Sequence, residues 1–131
     1  MKWWLWNLEG NLDDGATAST SVPVQVLGLD SGMAGITTGQ SYVCTVSEFG
    51  EAKCWGGKFH GEIGSGVPGF KSTPKNVAGL DHRLVIISAG SHHTCAVTDS
   101  AHVMCWGAND SGQLGAGVSG DSFVPIPVVS P

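Results

Sequence analysis

The chain has 131 residues, a formal net charge of −5, 13% charged residues and 20 glycines. With 41% hydrophobic residues it is not a charge-driven disordered segment, and so much glycine excludes a helical bundle, because each interior helical Gly costs about 1 kcal/mol relative to Ala. No cluster of Lys or Arg marks a nucleic-acid partner, and no apolar run approaches the roughly 20 residues that span a bilayer, so neither nucleic acid nor membrane is expected as a partner.

At the N-terminus, Met1 to Trp6 is largely apolar, but Asn7, Glu9 and Asn11 cut the run short of an export-signal core, so no such signal is expected in the chain. The chain as a whole is repetitive. Trp4 aligns with Trp55 and Trp106 at a constant offset of 51, as do Gly10 with Gly61 and Gly112, and Pro23 with Pro74 and Pro125. Laying 30–80 on 81–131 needs no gap and matches about 15 of 51 positions, mostly Gly, Trp, Cys, Pro and core-type Val or Ile. The expected organisation is a truncated unit over 1–29 and full repeats over 30–80 and 81–131, together one domain.

Strands and turns fill each unit. Leu84–Ser88, His93–Thr98 and His102–Trp106 read as short strands, with a turn at Asp99-Ser100-Ala101 and a Gly-rich loop from Gly107 to Gly120. Val124–Val128 contains Pro125 and Pro127, so it qualifies as a fourth strand only at an edge or with irregular pairing. Four short strands per repeat predict an all-β chain of β-propeller blades, incomplete in a single copy.

The segments Ala89-Gly90-Ser91-His92-His93-Thr94-Cys95-Ala96-Val97, Cys105-Trp106-Gly107-Ala108-Asn109-Asp110-Ser111-Gly112-Gln113-Leu114-Gly115 and Pro125-Ile126-Pro127-Val128 resemble the repeat of the regulator of chromosome condensation family. The closest likeness is to its bacterial, cysteine-containing members, and it extends over essentially the whole chain. The resemblance implies blades of a propeller that usually closes with seven. It transmits no activity, because the family includes a nucleotide exchange factor, a light receptor and a secreted β-lactamase inhibitor, and no motif of those functions carries over.

The cysteines give the sharpest chemical signal. Each full repeat holds C-x9-C; with a three-residue hairpin loop at Glu48-Phe49-Gly50, Cys44 stands opposite Cys54 on one face, and Cys95 opposite Cys105. Two disulfides within repeats are therefore expected. A two-residue loop would send the thiols to opposite faces and leave them reduced. The pairs also suggest a secreted or periplasmic family context, although the chain itself does not fix its compartment. Zinc is the competing reading because His92, His93 and His102 lie near Cys95 and Cys105, but C-x9-C lacks the short knuckle of structural zinc sites. No metal or cofactor is expected. His60 and His82 have no repeated counterparts and read as solvated loop residues.

Gly64–Gly69 and Gly115–Gly120 both spell G-x-G-x-x-G, yet each precedes a Pro-containing strand rather than a helix, so they are expected to be turns and not dinucleotide loops. Hydrolase, metalloprotease and P-loop motifs are missing, and the adjacent Asp13 and Asp14 do not form an acid/base pair; no enzyme is expected. Asn109-Asp110-Ser111 matches a glycosylation sequon, a frequent accidental pattern. Trp55 and Trp106 are expected to pack within or between blades, with sugar stacking as the alternative.

Trp3, Trp4, Leu5 and Trp6 make the truncated unit unusually bulky and are the candidate interaction surface. The expected function is a non-enzymatic protein-interaction module that contacts an unidentified protein and associates with itself, with a dimer favoured because unsatisfied blade faces invite a second copy. The alternatives are a carbohydrate-binding module and a structural part of a longer propeller.

Overall fold

A computed structural model describes residues 2–3, 24–25, 29, 32–56, 60–67, 71–80 and 82–129. Among the described residues ten strands run in chain order: β1 Lys2–Trp3, β2 Val24–Gln25, β3 Met33–Thr38, β4 Tyr42–Ser47, β5 Ala52–Gly56, β6 Lys71–Asn76, β7 Leu84–Ala89, β8 His93–Thr98, β9 Val103–Gly107 and β10 Ser122–Pro127. No helix occurs among the described residues. The chain is all-β.

Two antiparallel four-stranded sheets, ordered β3-β4-β5-β6 and β7-β8-β9-β10, carry the fold. β1 and β2 form a separate pair. That pair matches Lys2 with Gln25 and Trp3 with Val24, the same register 51 residues earlier as Lys53 with Asn76 and Cys54 with Lys75. Trp3 thus holds in the pair the place that Cys54 holds in the first full sheet. Trp4, Leu5 and Trp6 lie outside the described residues, as do Asp13 and Asp14.

The prolines sit where their missing N–H does least harm. Pro74 is in β6 and Pro125 and Pro127 are in β10, both edge strands, and each pairing shifts register once. The hairpin joining β4 to β5 has the three-residue loop: the Gly50 N–H donates to Ser47 O at 3.0 Å and the Ser47 N–H to Glu51 O at 2.9 Å. Gly50 takes φ of 81°, the left-handed residue that closes such a turn, and the same place in the next repeat is held by Ala101 at φ 66°.

Both full sheets present alternating faces, and β7–β10 lays one of its faces on β3–β6. Tyr42, Cys44, Val46, Ala52 and Cys54 of the first sheet meet Leu84, Ala96 and Trp106 of the second, with Ile63 and Val77 closing the sides. The innermost strands β3 and β7 touch each other. Burial of such side chains contributes about 1.5–3 kcal/mol for each large one, and this seam is the main core. A smaller core on the opposite face of the first sheet joins Leu29, Val43 and Trp55, with Met33 packed against it.

Candidate interaction surface

The seam between the sheets shows what a blade face needs from its neighbour. Trp106 is fully buried and donates its indole N–H to the Glu62 carbonyl at 2.8 Å. Thr94 Oγ1 donates to the Tyr42 hydroxyl at 2.9 Å, and that hydroxyl donates on to the His93 carbonyl; Thr94 Oγ1 also lies 3.0 Å from Glu62 O. Burial pushes the Tyr42 phenol far above its ordinary range, with the Thr94 hydrogen bond opposing the rise. These polar contacts fix the position of one sheet on the other, and apolar packing supplies most of the adhesion.

The same face recurs on the far side of the second sheet. Tyr42, Cys44, Val46, Ala52 and Cys54 correspond by the 51-residue offset to His93, Cys95, Val97, Val103 and Cys105. In the first sheet all five are buried; in the second, His93, Cys95 and Val97 are partly exposed and Val103 is 41% exposed. Val128, which corresponds to the buried Val77, is 38% exposed. Gln113 stands where Glu62 stands, and among the described residues no indole donates to its carbonyl. This face is open.

Each cysteine pair occupies directly opposed positions in register, Cys44 with Cys54 and Cys95 with Cys105. Their sulfurs lie 2.09 Å and 2.14 Å apart, at disulfide distance, with Cα atoms 4.1 Å apart in both pairs. Two of the histidines near them contact other groups. His102 Nδ1 lies 3.1 Å from Ser100 Oγ and His92 Nδ1 lies 3.3 Å from Glu62 Oε1, so they do not converge with the sulfurs, and among the described residues no cluster suits a metal.

His60 is a partly exposed loop residue that also reaches across to the second repeat. Its Nδ1 lies 2.8 Å from Asp121 Oδ2, and its ring meets that of His92 with centroids 5.1 Å apart. The sequence gives no warning because His60 and Asp121 are 61 positions apart and neither recurs at the repeat period. The Asp121 hydrogen bond raises the His60 pKa above its ordinary value. Beside it, the almost fully buried Glu62 accepts the His60 N–H at 3.0 Å within the loop, and its own carbonyl and carboxylate reach Trp106 and His92, so the loop before β6 is tied to the second repeat.

The Gly-rich loops spend their amides internally. The Gly64 N–H donates to Gly61 O, Gly66 to Phe123 O and Gly115 to Gly112 O, so these groups do not form a phosphate cradle. Asn109 is 3% exposed; its side-chain amide donates to Val118 O at 2.8 Å and its side-chain oxygen accepts the Leu114 N–H at 3.1 Å. That Asn organises the loop from within and does not present a glycan acceptor. With Trp55 and Trp106 both fully buried, neither indole face is available to a sugar.

Comparison with known proteins points the same way. Residues 84–113 match the regulator of chromosome condensation (RCC1) repeat. The chain is 30% identical over 129 residues to the ultraviolet-B receptor UVR8 of Arabidopsis thaliana, spanning 97% of this chain and 29% of the receptor. It is 32% identical over 113 residues to the human E3 ubiquitin-protein ligase HERC2, spanning 84% of this chain and 2% of the ligase. Among solved structures, yeast RCC1 (Prp20), solved bound to Kap60, superposes with a TM-score of 0.83 at 20% identity over 97% of this chain and 32% of that one. Human WBSCR16 gives 0.80 at 19% identity over 94% and 33%. The chain thus spans about a third or less of these proteins, and the structural likeness concerns the fold.

Proposed function

Built as it is from repeats of the regulator of chromosome condensation (RCC1) type, this chain is, we propose, a non-enzymatic protein-interaction module whose docking surface is the open face of the β7–β10 sheet. One observation carries the reading: the five positions that are sealed on the first sheet by the second are repeated on the second sheet, where four of them are partly or clearly exposed. The partner that suits this face is another sheet of the same kind. A second copy offers its β1–β2 pair, in whose segment Trp4 aligns with Trp106 at twice the repeat offset and Trp3, Leu5 and Trp6 are bulky.

A second reading rests on coverage. The chain matches 29% of the plant receptor and about a third of the solved propellers, which favours a following repeat of a longer propeller as the natural cover for the same face. The paired cysteines support an oxidising compartment for either form.

Light scattering after gel filtration tests self-association. The expected result is a dimer at high micromolar concentration that Val97→Glu, or Trp3→Glu with Trp6→Glu, converts to a folded monomer. A wild-type chain that is folded and monomeric at that concentration would reject the second copy as partner.

A further inference from the structure

The two disulfides have the same spacing and register and differ in their surroundings. Cys44 and Cys54 are both 0% exposed, because the second sheet covers the face that bears them. Cys95 is partly exposed on the open face, while Cys105 beside it is 3% exposed. Thiol–disulfide exchange needs a thiolate to approach one sulfur in line with the bond, so access decides which disulfide reacts and at which sulfur. Val97, two residues along β8, is partly exposed and Ser88, opposite Cys95 on β7, is exposed, so the in-line approach to Cys95 from the β7 side is bordered by short side chains.

We propose that Cys95–Cys105 is a thiol–disulfide exchange site for dithiol reductants, attacked at Cys95, and that Cys44–Cys54 is closed to the same reagents in the folded chain. A thiolate of the dithiol bonds to Cys95 Sγ, the Sγ–Sγ bond breaks, and its electron pair leaves on Cys105 Sγ, which takes a proton from water. The second thiol of the reagent then displaces Cys95 as its thiol. The protein gains two electrons and two protons, and the dithiol is oxidised to its cyclic disulfide. The backbone ladder of β8 and β9 runs on both sides of the pair, from His93 with Gly107 to Val97 with Val103, so the thiols remain opposed and able to re-form the bond. The proposal rests on the exposure of the two pairs while the face of the β7–β10 sheet is uncovered.

The test is graded reduction of the folded chain at submicromolar concentration with dithiothreitol, quenched by alkylation and read by peptide mapping. Cys95 and Cys105 are expected to be labelled at least about tenfold faster than Cys44 and Cys54. Equal rates, or earlier labelling of Cys44 and Cys54, would overturn the proposal. With glutathione as a monothiol, the trapped mixed disulfide is expected on Cys95; an adduct mainly on Cys105 would overturn the assignment of the attacked sulfur.

Discussion

Trp106 of the second sheet donates its indole N–H to the carbonyl of Glu62, 44 residues earlier in a loop of the first repeat, at 2.8 Å. The bond is fully buried and lies beside the Thr94 and Tyr42 hydroxyls, so it sets how one sheet sits on the other.

Replacing Trp106 by Phe keeps an aromatic ring but removes the donor and part of the volume. A loss of about 2–4 kcal/mol is expected, the sum of a lost buried hydrogen bond and a cavity. Tyr42→Phe removes only the hydroxyl that links Thr94 to His93 O and is expected to cost about 1–2 kcal/mol. Urea denaturation of both variants measures the difference; a neutral Trp106→Phe would mean that the bond does not hold the seam.

Ala101 closes the second hairpin at φ 66°, a conformation that Gly50 supplies at the same place in the first repeat. A Cβ in the left-handed region costs about 1–2 kcal/mol, partly offset by the greater freedom of Gly in the unfolded chain. Ala101→Gly is therefore expected to stabilise by about 0.5–1 kcal/mol, read as a higher denaturation midpoint at unchanged slope.

Gly64 and Gly112 separate backbone strain from packing. Both have positive φ, 68° and 73°, but a Cβ on Gly64 would stand 2.7 Å from the Trp106 indole nitrogen, whereas one on Gly112 would meet nothing within 4 Å. Gly112→Ala is expected to cost about 1 kcal/mol and Gly64→Ala about 3 kcal/mol, with the excess coming from the displaced indole. Equal losses in thermal unfolding would show that the indole yields freely.

The His60–Asp121 pair predicts a pH dependence whose sign is set by the raised His60 pKa. A group that binds its proton more tightly when folded adds stability that is fully present below its unfolded pKa and lost as pH rises through the folded value. The contribution should fade upward from about pH 6.5. Both side chains are about one-third exposed, so solvent keeps it small. In an NMR titration the His60 midpoint is expected to fall in Asp121→Asn; an unchanged midpoint would show that Asp121 does not hold the proton.

If a second copy covers the open face, raising the protein concentration should slow reduction of Cys95–Cys105 and leave Cys44–Cys54 unaffected. The expected change is at least about threefold between submicromolar and high micromolar protein, because a docked sheet removes the approach to Cys95. Concentration-independent labelling would place any association on another surface.

The offset of 51 residues, the three-residue hairpin loop and the prolines of the fourth strands are local in sequence, and from them the all-β repeats, the opposed cysteines and the irregular edge strands were legible. These features depend on short-range geometry, in which side chains alternate with period two and Pro lacks a donor. What lies between repeats was not legible. Identical C-x9-C motifs end up sealed in one sheet and open in the other because exposure depends on which neighbour covers a face. His60 and Asp121, 61 residues apart and without repeated counterparts, meet only because the loops before β6 and β10 converge at one end of the seam. Repetition carries the form of a blade; only packing one blade on the next decides which of its copied residues are buried, bonded or free to react.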